Sequence, residues 1–201
     1  MVQKINALKI ITLIQVSLYS MTGFAQIDKI EINQNKSSVE FLCIGNPSAL
    51  KIKGEKAKVQ GQISNTENIF GAKLKVDLNE FVTGIDMRDE HMKEKYFETD
   101  KPENRYATLE IINLNIPESF WKKNEEFKGE FKGKLLLHNV EKDISGKITF
   151  SPYKKGAEVI TVSSFPIKLS DFKISVPSFV GITVAEDVNI EVKLPLIVVE
   201  K

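Results

Sequence analysis

The stretch FKGKLLLHNVEKDISGKITF, residues 131–150, decides the fold. In its first half Phe131, Gly133, Leu135 and Leu137 alternate with Lys132, Lys134, Leu136 and His138. In its second half Ile144, Gly146, Ile148 and Phe150 alternate with Ser145, Lys147 and Thr149. A period of two places the two sets on opposite faces of a pleated strand, so each run reads as a strand with one dry and one wet face. Residues 138–143 join the runs and supply Asn139, whose tolerance of positive φ suits a hairpin turn.

The same pattern recurs on both sides. Ala72, Leu74, Val76 and Leu78 alternate with Lys73, Lys75 and Asp77, and Val188, Ile190, Val192 and Leu194 alternate with Asn189, Glu191 and Lys193. Less regular candidates cover residues 38–44, 50–63, 106–115 and 158–169, and residues 153–156 (Tyr-Lys-Lys-Gly) form another tight joint. About eight strands with hairpin joints predict an all-β, antiparallel barrel or sandwich. At 201 residues, with no internal repeat or low-complexity linker, the chain holds one such domain, residues 26–201.

Residues 1–25 stand apart from this pattern. Lys4 and Lys9 precede the apolar runs 10–16 and 18–24, and Gly23-Phe24-Ala25 offers small residues at −3 and −1 of a cleavage site. That is the layout of a secretory signal peptide, with Gln26 as the new N-terminus. Gln15 and Ser17 interrupt the apolar stretch, which argues against a retained span and for no stable membrane insertion after cleavage. Removing Lys4 and Lys9 leaves 26 basic against 27 acidic residues. So balanced a chain has no field to attract nucleic acid. Cys43 is the single cysteine; between Phe41 and Ile44 it reads as a small buried hydrophobe rather than a disulfide partner.

One segment departs from the β pattern. Asp86-Met87-Arg88-Asp89 can start a short helix running to about Lys95, with Asp86 as N-cap and Asp89 in the first turn. Met92 and Tyr96 then share a face, Phe97 follows, and Pro102 prevents continuation.

Motifs for chemistry are scarce. His91 and His138 lie far apart without metal-ligand spacing, and no G-x-S-x-G, P-loop or G-x-G-x-x-G occurs. No cofactor or metal is therefore expected. Arg88, Asp89 and His91 form the densest polar cluster and could move a proton. The competing role is to tie the helix to strand ends, and because positions 88 and 91 share a side while 89 turns away, that structural role is preferred. No residue is assigned to catalysis.

The inward phase is more informative. Phe41, Ala72, Leu74, Val76, Leu78, Phe131, Gly133, Leu135, Leu137, Ile148, Phe150, Ile190 and Val192 are expected to point inside. An eight-stranded barrel is just wide enough to fill with side chains or to hold one small ligand. Ala72 and Gly133 would leave room among larger neighbours, and a dry elongated space suits an alkyl or isoprenoid chain. A solid core with glycines at bends is the alternative. On the residues alone both remain open.

The segment Thr83-Gly84-Ile85-Asp86-Met87-Arg88-Asp89-Glu90-His91, with Phe97, Pro102 and Tyr106, resembles a signature of the YceI-like family of bacterial polyisoprenoid-binding proteins. Its G-x-L-x-L-H-G-V-x-K hairpin is matched by residues 133–142, with Asn139 where the family has glycine. Residues 38–41, 170–174 and 185–190 also fit, whereas residues 117–126, with Phe120 and Trp121, have no counterpart. The resemblance implies an extended lipocalin-like barrel with a long apolar tunnel and periplasmic export. It also implies a lipid or isoprenoid ligand, a homodimer in some members, and motif roles for Arg88, Asp89, His91 and His138. The expected function is a non-enzymatic carrier. The alternatives are an enzyme using Arg88, Asp89 and His91 on an isoprenoid-like substrate, and a solid-core interaction protein.

Overall fold

The computed structural model describes residues 27–46, 50–66, 69–179 and 182–200. The expected signal peptide, residues 1–25, and its cleavage point lie outside the described residues.

Alternation along the chain yields eleven strands: β1 (Ile27–Ile32), β2 (Ser38–Asn46), β3 (Lys51–Ala57), β4 (Gln60–Thr66), β5 (Ile69–Asp77), β6 (Tyr106–Asn115), β7 (Phe127–Leu137), β8 (Val140–Phe150), β9 (Val159–Lys168), β10 (Ser178–Phe179) and β11 (Ile182–Glu200). All form one antiparallel sheet with the path β3-β2-β11-β9-β8-β7-β6-β5-β4, and β1 and β10 attach to β11. The sheet curls into a lipocalin-like half-barrel with one short α-helix, α1 (Asp86–His91), at its mouth.

The strand count exceeds eight partly because residues 50–63 are two strands rather than one. At the corner between β3 and β4 the Val59 amide donates to Ser37 Oγ at 2.8 Å, while that hydroxyl donates to Gln34 O at 2.7 Å. Ala57 and Val59 are fully buried there. This corner sends the chain from the β2 side of the sheet to the β5 side, so the two edges of the curl are consecutive in sequence. Val82 then pairs with Glu55 of β3 through bonds of 2.9 and 3.1 Å, covering part of that edge.

Strand β11 exchanges partners along its length. It pairs with β2 as far as Lys193↔Ser38 and with β1 from Leu196↔Ile32. Pro195 sits in the gap, where the missing N–H costs no ladder bond on that side.

The hairpin read from residues 131–150 has the expected register, Phe131↔Gly146 and Leu135↔Lys142. Its joint is tighter than residues 138–143, because β8 already begins at Val140. His138 and Asn139 have φ of 49° and 54°. Left-handed backbone at both central positions gives the two-residue turn whose twist matches that of the strands.

The inside of the curl has two halves. Towards the end carrying residues 117–126, a second short helix, α2 (Phe120–Lys123), packs its aromatics into the barrel. Phe120 lies 4.8 Å from Trp121, 6.0 Å from Phe127 and 5.8 Å from Phe150, and Trp121 lies 5.8 Å from Phe70. These tilted and edge-on arrangements suit the ring quadrupoles and leave that half solid. The half beneath α1 is hollow.

A candidate apolar-ligand cavity

The hollow half encloses a cavity of about 700 Å³, within the range of single-ligand pockets. Its walls include strands whose alternation turns apolar side chains inward: Val39, Phe41 and Cys43 from β2, Leu74 and Val76 from β5, Leu135 and Leu137 from β7, Phe165 and Ile167 from β9, and Val188, Ile190 and Val192 from β11. Met87 and Met92 roof it together with Tyr96 and Phe97. Cys43 has no charged neighbour that offsets its burial, which pushes its thiol up to about 11. Polar side chains reach the cavity chiefly from the mouth: Thr83, Arg88, His91 and Lys95.

The roof is fixed by a compact network at the start of α1. Gly84, with φ of 82°, turns the chain between the Val82 bridge to β3 and the helix. Asp86 opens α1, but the N-cap position belongs to Ile85, which makes no side-chain cap, so Asp86 does not cap the helix as expected. Asp89 turns back instead. Its Oδ1 accepts the Thr83 amide at 2.7 Å and the Thr83 hydroxyl, while Arg88 Nε donates to Thr83 Oγ1 at 2.7 Å and its Nη2 to Thr83 O at 2.6 Å. Asp89 is only 9% exposed, and the two Thr83 donors on its Oδ1 offset the cost of burying its charge. Beyond His91 the helix continues as a π-turn over Met92–Tyr96, closed by Phe97 N–H to Met92 O at 2.9 Å. The extra residue per turn brings Phe97, five residues on, onto the cavity beside Met92 and Tyr96.

His91 does not bond to a strand end. It lines the cavity, and among the described residues no hydrogen bond to its side chain is formed. His138 takes the anchoring role: Nδ1 lies 3.0 Å from Phe172 O and Nε2 lies 2.9 Å from Glu98 Oε2.

Of the expected inward residues, Phe41, Leu74, Val76, Leu78, Leu135, Leu137, Ile190 and Val192 are on the cavity wall. Phe131, Ile148 and Phe150 are buried on the correct face but packed in the solid half. Ala72 and Gly133 also lie off the cavity. A Cβ on Gly133 would come within 2.4 Å of Glu110 O, so this glycine permits close approach of β6 and β7 rather than opening ligand space. Wall residues not anticipated include Leu109, Phe165, Ile167 and Val188, all in phase on their strands, and Phe81 and Phe97 from irregular segments. Phe81 and Phe97 stack around Phe41, at 5.2 and 6.5 Å.

Among the described residues no group of His, Cys, Asp or Glu converges to hold a metal ion, and no helix is long and apolar enough to cross a membrane.

The sequence matches the YceI-like domain over residues 31–196. The fold is similar to that of a polyisoprenoid binding domain from Saccharophagus degradans, at 18% identity and a TM-score of 0.69 over 87% of this chain and 100% of that one. It is also similar to BcnA of Burkholderia cenocepacia, at 19% identity and a TM-score of 0.64 over 83% and 99% of the two chains. A YceI protein of Campylobacter jejuni matches at 19% identity with a TM-score of 0.55 over 75% and 85%. No curated protein sequence matches the chain significantly.

Proposed function

The chain belongs to the YceI-like family, and on that premise we propose that it is a periplasmic carrier that holds one long apolar chain, of polyisoprenoid, isoprenoid-quinone or fatty-acyl type, in the cavity beneath α1. The observation that carries this reading is the distribution of chemistry around the hollow. Aliphatic and aromatic side chains cover the walls, and the polar side chains Arg88, His91 and Lys95 lie on the α1 side. Such a space excludes water from a hydrocarbon tail while leaving its polar end at the mouth. The Saccharophagus degradans neighbour is itself a polyisoprenoid binding domain, which supports the same ligand class. Phe41, Leu74, Val76, Leu78, Leu135, Leu137, Ile190 and Val192 are the residues proposed to touch the tail.

Catalysis forms no part of this reading. Arg88 and Asp89 are committed to Thr83, which leaves His91 without an acid or base partner in the cluster. Periplasmic export is supported by the leader-like residues 1–25 and by the general location of YceI-like proteins.

Organic extraction of the purified protein followed by mass spectrometry tests the carrier role. Release of a stoichiometric apolar lipid is expected; a protein that yields none and displaces no fluorescent fatty-acyl probe is not a carrier. Intact mass of the chain from its native compartment should begin at Gln26, and a product retaining Met1 defeats the export reading.

A further inference from the structure

The hollow ends against a built floor. Phe165 and Val192 are on its wall, but the neighbouring Phe131, Ile111 and Ile148 are 2%, 5% and 5% exposed and present no cavity surface. Phe131 meets Phe165 edge-on, with ring centroids 5.8 Å apart and planes at 86°. The bare backbone of Gly146 makes room for this pair, since a Cβ there would lie 2.7 Å from the Phe131 ring. Behind it stands the aromatic cluster of Phe127 and Phe150 with Phe120 of α2. Phe120 comes from the very segment, residues 117–126, that departs from the family pattern.

We propose that this aromatic floor sets the length of the apolar chain the protein accepts, so that binding selects tails terminating at the Phe131–Phe165 pair. The proposal rests on the carrier reading and deepens it. Each methylene moved from water onto an apolar wall tightens binding roughly fourfold. That gain continues only while wall remains. A tail that reaches the floor must displace close-packed rings supported from behind by a second aromatic layer, and overpacking such a core is unfavourable. Additional carbons stay at the mouth, in contact with water. A tunnel open at both ends would have no such break, because a longer tail could pass through it.

The test is a series of prenyl alcohols, geraniol, farnesol, geranylgeraniol and solanesol, competing with a fluorescent fatty acid for the full-length mature protein. Affinity should climb with length and stop climbing before solanesol. Val192→Phe, which narrows the hollow just above the floor, should move the break to a shorter alcohol. Phe131→Leu, which lowers the floor without emptying it, should move the break to a longer one. Circular dichroism establishes that each variant is folded. Affinity that keeps rising through solanesol in the wild type overturns the proposal without reference to any variant, and so does a break that stays fixed in both folded variants. If no alcohol and no probe binds, it is the carrier reading that has failed.

Discussion

His138 Nε2 lies 2.9 Å from Glu98 Oε2, joining the turn between β7 and β8 to the chain that follows the α1 roof. With Nδ1 held 3.0 Å from Phe172 O, this one ring ties three separate segments together at the mouth side of the barrel. Both ring nitrogens are thus engaged. His138→Ala is therefore expected to cost about 1–3 kcal/mol, because the Phe172 carbonyl loses its partner in a largely covered site. Urea denaturation measures it, and an unchanged midpoint would show that the anchor is dispensable.

Glu98 also gives an acid dependence. Lys101 first, and His138 second, hold the Glu98 carboxyl below its usual range. Its folded value lies below its unfolded value, so the stabilisation is complete at neutral pH and is lost as pH falls through the depressed folded value. Thermal midpoints should fall on acidification, and Glu98→Gln should flatten that part of the profile. An identical acid slope in the variant would assign the loss to other carboxylates.

Asp89 is the keystone of the roof. Asp89→Ala leaves the Thr83 amide and hydroxyl without their acceptor, at an expected cost of about 1–3 kcal/mol. Asp89→Asn should cost less, since its amide oxygen still accepts one bond from Thr83 N–H. Chemical denaturation of both variants provides the ranking, and equal losses would contradict the bonding scheme.

Gly133 is predicted to respond as a strand-contact glycine. A methyl there meets the Glu110 carbonyl at 2.4 Å, so Gly133→Ala should lower stability by about 1–3 kcal/mol as β6 and β7 are pushed apart. Ligand affinity per folded molecule should change little, because the position is off the cavity. Loss of affinity with stability intact would place it on the ligand path.

Cys43 offers a reporter inside the hollow. Burial holds its thiol near 11, so the reactive thiolate is scarce at neutral pH. Alkylation by iodoacetamide should be slow there and quicken as pH is raised, and a bound fatty acid should slow it further. Labelling at the same rate with and without bound lipid would put the tail elsewhere.

Much of this was legible in the alternation itself. The face on which Leu74, Leu135 and Val192 would lie was readable because a strand has a strict period of two. Their depth along the barrel was not. Phe131, Ile148 and Phe150 point inward, yet Phe131 packs on Phe165 and Phe150 on Phe120 of α2, and only the tertiary fold brings residues 117–126 there. Asp89 could be placed in the first turn of α1 from sequence, but its bond back to Thr83 depends on the left-handed Gly84 between them. The partners of His138 lie 34 and 40 residues away, a separation over which local patterns carry no information. The small size of Gly133 suggested empty space, where it in fact marks two backbones in close approach.

The pairing of β1 with the last turn-free stretch of β11, Ile32↔Leu196 through Ile27↔Glu200, bears on how the molecule comes into being. Contacts this distant along a chain must wait for the costliest loop closure, and folding rates fall as such contacts dominate. The strand that β1 pairs with follows all the other described strands in the chain. A nascent chain can therefore form the β7–β8 hairpin early but cannot seal this seam until β11 has been made. Refolding from denaturant should accordingly show hairpin formation well ahead of protection of the Ile30 amide from hydrogen exchange, with the terminal seam the slowest region to become protected.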